Sequence, residues 1–147
     1  MKKLLPPVLV LLIAILMSVA RSIIPGPVIV PQPYNWLGLV LLLAGFALGL
    51  IGAVHFNKVG TNIPTFNEPT ILVTDGIFKW SRNPIYLGFT LFLLGLAVML
   101  GTLVPFLGPI VFAVTADRWY IAFEERALQH KFGERYDAYR RATRRWI

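Results

Sequence analysis

Two short stretches carry side chains whose types and spacing could do chemistry. Ser81-Arg82-Asn83-Pro84-Ile85-Tyr86-Leu87-Gly88 stands where a polar segment gives way to an apolar run, and Glu124-Glu125 stands where a later apolar run becomes charged. In the first stretch Asn83 can cap a helix whose first position Pro84 fills, and Tyr86 follows within that first turn. Such a helix start leaves N–H groups unpaired and carries partial positive charge, so it can hold the anionic part of a ligand. In the second stretch, adjacent carboxylates at the end of a membrane helix are unfavourable unless they are paired or used. Offsets of seven put Arg118 with Glu125 and Asp117 with Glu124 on common faces, so internal ion pairing and a role in a site stay open side by side.

Other chemistries are excluded or unsupported. There is no cysteine, which removes disulfides, thiolate metal sites and a cysteine nucleophile. His55 has no neighbouring ligands at metal-site spacing, so it reads as structural, and no metal is expected.

These stretches must be positioned by membrane helices. The chain is 56% hydrophobic in 147 residues, its mean hydropathy is +0.68, and nothing divides it into more than one domain. Residues 4–24 form a first apolar run, which Pro25-Gly26-Pro27 ends. It follows Met1-Lys2-Lys3 as a signal peptide would, but its length and the lack of a small-x-small cleavage site predict a retained helix. Residues 35–56 form a second run, in which Gly38, Gly45, Gly49 and Gly52 fall on one face and predict close helix packing. Residues 85–101 and 102–123 form a third and a fourth, joined so tightly that they must be antiparallel neighbours. The expected fold is therefore all-α, a bundle of four transmembrane helices in a single domain spanning 1–147.

Two segments lie outside the spans. Residues 57–82 exceed what a helix connection needs, and the apolar island Ile71-Leu72-Val73 before the turn Asp75-Gly76 predicts a loop folded back on the bundle. Residues 124–147 read as two amphipathic pieces hinged at Gly133, with Ile121, Leu128, Phe132 and Tyr136 as an apolar stripe. Lys2, Lys3, Lys58, Lys79, Arg82 and the basic tail share one side, so both termini should be cytoplasmic. The net charge of +7 then points to anionic headgroups, bound by Arg140, Arg141, Arg144, Arg145 and Trp146, and not to nucleic acid.

Three blocks together resemble the isoprenylcysteine carboxyl methyltransferase and phospholipid methyltransferase superfamily of integral membrane enzymes. They are Leu72-Val73-Thr74-Asp75-Gly76-Ile77-Phe78, then Arg82-Asn83-Pro84-Ile85-Tyr86-Leu87-Gly88, then Glu124-Glu125 with Leu128, Phe132-Gly133-Glu134-Arg135-Tyr136 and Tyr139. The family's second block usually reads Arg-His-Pro-x-Tyr, and Asn83 stands here in place of the histidine. The resemblance implies S-adenosylmethionine as cofactor, bound by Val73, Thr74, Gly76, Ile77, Asn83, Tyr86 and Glu124 or Glu125. It also implies methyl transfer to a lipophilic acceptor, either an isoprenylcysteine-type carboxylate or a lipid amine, in a prokaryotic inner membrane. Glu124 and Glu125 are the candidate bases, and Arg82 and Arg118 the candidate partners of an acidic acceptor. Two other readings compete: a non-catalytic family member acting as a membrane partner, and a small four-helix transporter. The transporter lacks acidic residues in the first three spans with which to couple protons.

Overall fold

The computed structural model describes residues 4–60 and 70–147. Lys2 and Lys3, used above for orientation, and Pro64 and Pro69 of the long loop lie outside the described residues.

Helix α1 covers Pro6–Ile23, with both prolines in its first turn, where the missing N–H groups would have had no helical partner. Val10, Ile13 and Met17 form its buried face, while Leu11 and Leu16 on the opposite face are 61% and 65% exposed. A 3₁₀ turn at Tyr34–Trp36 leads into α2, Leu37–Val59, and Pro84 opens α3, Pro84–Leu100.

The contact between α2 and α3 is made by glycines. All four buried residues of α2 are Gly38, Gly45, Gly49 and Gly52, as the spacing predicts. A Cβ on Gly88 of α3 would lie 2.7 Å from Gly45 O and from Gly49 N, and one on Gly95 would lie 2.6 Å from Gly38 O. The two backbones therefore touch, which is how helices gain dispersion energy in surroundings as apolar as themselves.

After α3 the chain turns at Gly101 (φ 72°) and runs antiparallel through α4, Leu107–Thr115, a π-helical segment, Ala116–Ile121, and α5, Ala122–Phe132. Phe89 of α3 meets Phe112 of α4 edge-on at 6.0 Å. Phe112, Leu93, Ala97 and Ile121 are wholly buried in the core between α1, α3 and α4. The helix runs on without a break past residue 123, where the apolar run ends, and continues to Phe132. Charged residues such as Glu124, Glu125 and Arg126 are good helix formers, and the first residue to interrupt the ladder is Gly133 (φ 48°). α6, Glu134–Ala142, follows at the hinge expected there.

Among the described residues, three helical stretches are long and apolar enough to cross a membrane: Pro6–Ile23, Tyr34–Val59 and Val104–Phe132. α3 is as apolar but has 17 residues, about 25 Å at 1.5 Å each and short of a hydrocarbon core of about 30 Å.

The end of the bundle remote from Glu124 is closed by hydrogen bonds. Gly101 O accepts from Ile29 and Val30 N at 2.8 and 3.1 Å, Arg21 Nε donates to Leu100 O at 3.0 Å, and Asn35 Nδ2 donates to Met99 O at 3.1 Å. The other end is where the polar side chains converge.

Candidate functional site

The α3 N-terminus is built differently from a capped helix. Asn83 makes no side-chain capping bond; its Nδ2 instead donates to the carbonyl of Arg145 at 2.9 Å. Capping, the simplest sequence reading of this residue, is thus replaced by a tie to the C-terminal segment. Arg82 is fixed in the same way. Its N–H donates to Arg144 O at 3.0 Å, Nη1 donates to Thr143 O, and Nη2 donates to Glu125 Oε1 at 2.8 Å. Its side chain is 8% exposed, and Nε is buried with no hydrogen-bond partner among the described residues.

The two glutamates diverge, as neighbours on a helix must. Glu125 turns toward Arg82 and Arg145, whose guanidinium bonds both of its oxygens. Glu124 turns the other way and accepts the Tyr86 hydroxyl proton at 2.7 Å. Tyr86 is stacked on Tyr120 at 6.1 Å with the rings 16° apart, and the Tyr120 hydroxyl donates to Leu4 O at 2.9 Å. Tyr120 lies in the π-helical segment, where the local change of helical phase alters the face that its side chain joins.

Asp117 bonds Arg145 Nη1 at 3.2 Å and Trp146 Nε1 at 3.0 Å. The pairings suggested by an offset of seven are therefore not the ones formed. The Arg118 side chain is 85% exposed and lies 3.8 Å from Asp117, apart from the other candidates. Arg145 and Trp146, expected on lipid headgroups, are turned inward onto acids, whereas Arg140, Arg141 and Arg144 remain exposed.

The long loop returns to the bundle as its apolar island predicts. Val73 and Phe78 are buried, and Tyr139 of α6 donates its hydroxyl to Phe78 O at 2.7 Å. Burial pushes the Tyr136 phenol up to about 12 and that of Tyr139 higher still, so both are neutral walls. His55, read as structural, ties α2 to this loop. Its Nε2 lies 2.9 Å from Asp75 Oδ1, and its ring covers Gly76 (φ 58°), where a Cβ would come within 3.0 Å of Cε1. That bond holds the Asp75 carboxyl below its ordinary value of 3.8.

Two cavities meet at these groups. The larger, about 600 Å³, runs between α1, α2 and α3 past Val10, Phe46, Leu50 and Phe89, and its polar end is Arg82, Asn83, Tyr86 and Glu124. The smaller, about 50 Å³, lies beneath Val73, Leu128, Tyr136 and Tyr139 and shares Phe56, Phe78, Arg82, Asn83 and Glu124 with the first. Thr74 lines a separate open groove with Lys79 and Arg135. Ile77 faces the α2 surface near Gly52. Of the sequence candidates, then, Val73, Arg82, Asn83, Tyr86, Glu124 and Glu125 come together, Gly76 and Ile77 secure the loop, and Arg118 stands outside. Sequence reasoning set Asp117 beside Glu124, whereas it bonds Arg145 and Trp146, and it missed Tyr120 and the inward turn of Arg145. Tyr120 one turn before Glu124 was a readable signal, but nothing local marks Arg145.

The family model for phospholipid methyltransferases matches residues 34–135, from the start of α2 through the hinge. The chain belongs to the phospholipid methyltransferase family. The match covers the glycine-packed pair, the returning loop and both glutamates, and it leaves out α1 and the C-terminal segment that holds Arg82. Protein-S-isoprenylcysteine O-methyltransferase of Schizosaccharomyces pombe is 35% identical over 78 residues, 51% of this chain and 32% of that protein. The protein of the same name from Rattus norvegicus is 38% identical over 117 residues, 73% of this chain and 39% of its own length. An uncharacterized protein of Haemophilus influenzae is 38% identical over 63 residues, 43% of this chain and 100% of its own. The chain thus spans between about a third and two fifths of the two named relatives. No solved structure matches it.

Proposed function

We propose that the protein transfers a methyl group from S-adenosylmethionine to a lipophilic acceptor held in the membrane. The observation that carries this reading is the larger cavity: long apolar walls from three helices, with one polar end formed by Arg82, Asn83, Tyr86 and Glu124. A lipid-soluble chain fits the walls, and a reacting head group fits the end.

The residues at that end suit the cofactor. The buried, unpartnered Arg82 Nε is a donor placed for a carboxylate, and Glu124, bonded to Tyr86 and to no cation among the described residues, is an acceptor for a positive group. Val73, Asn83, Tyr86 and Glu125 complete the walls around them, with Thr74 on the outer side of the loop. When bound, S-adenosylmethionine supplies an already activated sulfonium methyl group. The chain's own part is to align the acceptor, exclude water and hold charge in place. For a carboxylate acceptor, such as the isoprenylcysteine type, no proton need move. A lipid amine must first lose a proton, and Glu124 is the acid free to take it, since Glu125 is held by Arg82 and Arg145.

In the same reading α3 crosses with the other three helices, making four spans, and both termini and the returning loop face the cytoplasm of a prokaryotic cell. Leu5, Phe46 and Leu50 at the cavity mouth are 50%, 60% and 53% exposed, so acceptors enter from the bilayer between α1 and α2. Calorimetry with S-adenosylhomocysteine tests the reading: the protein should bind it, and absence of binding by well-folded protein contradicts the proposal.

A further inference from the structure

The C-terminal segment beyond α6 folds back over the start of α3, and one residue in it, Arg145, bonds Ser81, Asn83, Glu125 and Asp117. The backbone carbonyl of Arg145 accepts from Asn83 Nδ2 at 2.9 Å and from Ser81 Oγ at 3.4 Å. Its side chain spans two elements, with Nε 3.3 Å from Glu125 Oε1, Nη2 on Glu125 Oε2 and Nη1 3.2 Å from Asp117 Oδ1. The bond to Glu125 pushes the guanidinium further above its ordinary range, so it is a permanent cation.

The charges close as a set. Arg82 and Arg145 face Glu125 and Asp117, two cations against two anions, through contacts in the partly or wholly buried zone. Glu124 stands outside that set. A carboxylate that bonds a rigid guanidinium fork at both oxygens is fixed in direction as well as compensated in charge. Without the Arg145 side chain, Glu125 would keep Arg82 and the Tyr136 hydroxyl, and Asp117 would keep Trp146 and the distant edge of exposed Arg118, while the Arg145 backbone carbonyl would still meet Asn83.

We propose that Arg145 is a positioning residue of the methyl-donor site. It holds Glu125 and Asp117 and thereby leaves Glu124 as the acid that faces the cavity. The role rests on the methyl-transfer reading above, but nothing in the family match assigns it, because that match ends at residue 135.

The test is a double-mutant cycle on S-adenosylhomocysteine affinity in full-length protein, using R145M, E125Q and the pair, with thermal melting to confirm folding. R145M should weaken binding about tenfold or more, the scale of a lost charge-assisted contact. If Arg145 acts through Glu125, the pair should lose no more than the worse single variant, whereas independent roles would multiply. Equal affinity of folded R145M and wild type, or losses that multiply, overturns the proposal. Should R145M fail to melt cooperatively, R145K carries the comparison. It keeps the charge and loses the fork, intermediate affinity is expected, and wild-type affinity overturns the role. Absence of binding by folded wild-type protein is a different result, since it removes the methyl-donor reading itself.

Discussion

The Tyr86 hydroxyl donates to Glu124 Oε1 at 2.7 Å, joining the first turn of α3 to α5 at the polar end of the larger cavity. This bond separates the roles of two adjacent glutamates, one facing the cavity and the other bound into the arginine pair. Y86F should cost about 1 kcal/mol of stability, the net value of one such bond, and weaken S-adenosylhomocysteine binding. E124Q should weaken it more, by about tenfold or more, because it replaces the ionisable carboxyl by a neutral amide that keeps only one acceptor oxygen. Calorimetry on both variants checks the order; unchanged affinity in both would remove these residues from the site.

The glycine contact predicts an asymmetric response to the smallest possible substitution. G88A drives a Cβ to 2.7 Å from backbone atoms of Gly45 and Gly49, so it should cost about 1–3 kcal/mol as the helices separate. G26A, whose Cβ would meet only Val104 Cγ2 at 3.9 Å, should be close to neutral. Thermal unfolding in detergent distinguishes the two, and equal melting temperatures would contradict backbone contact.

How much of this was legible beforehand depends on the range of the interactions. The glycine face, the helix start at Pro84, the return of Val73 and the hinge at Gly133 are written in local spacing and turn chemistry, and the fold follows them. Two features are not local. Asn83 has the sequence of a cap yet bonds Arg145 O, 62 residues away; Arg145 has the sequence of a headgroup ligand yet bonds Asp117 and Glu125. The helix through Glu124 passes residue 123 because helix formers continue where hydropathy falls, so the onset of charge does not mark a helix end. Spacing identified the glutamates, but only the three-dimensional return of the tail decides which one is free.

The His55–Asp75 bond gives a pH prediction. The Asp75 carboxyl lies below 3.8 because His55 donates to it, and a lowered folded-state value means that its stabilising contribution is present above 3.8 and is lost as pH falls through the folded-state value. H55F should return the Asp75 titration upward toward 3.8, read by carbon NMR of the labelled carboxyl. An unmoved titration would show that the bond does not hold in solution.

Arg118 provides the control. Its side chain is 85% exposed, and among the described residues its ion pair is with Asp117, at 3.8 Å, so R118Q should change stability by less than about 0.5 kcal/mol and leave S-adenosylhomocysteine affinity unchanged. A clear loss of affinity, measured by the same calorimetry, would return Arg118 to the site.

The most direct measurement is transfer of labelled methyl from S-adenosylmethionine into a native lipid extract by purified protein in bilayers, with the product's mass determined. Wild-type protein should label a lipid-phase product and gain one methyl mass per acceptor, and E124Q should label it far more slowly. Well-folded wild-type protein that labels nothing in the lipid phase and binds no S-adenosylhomocysteine would contradict membrane methyl transfer.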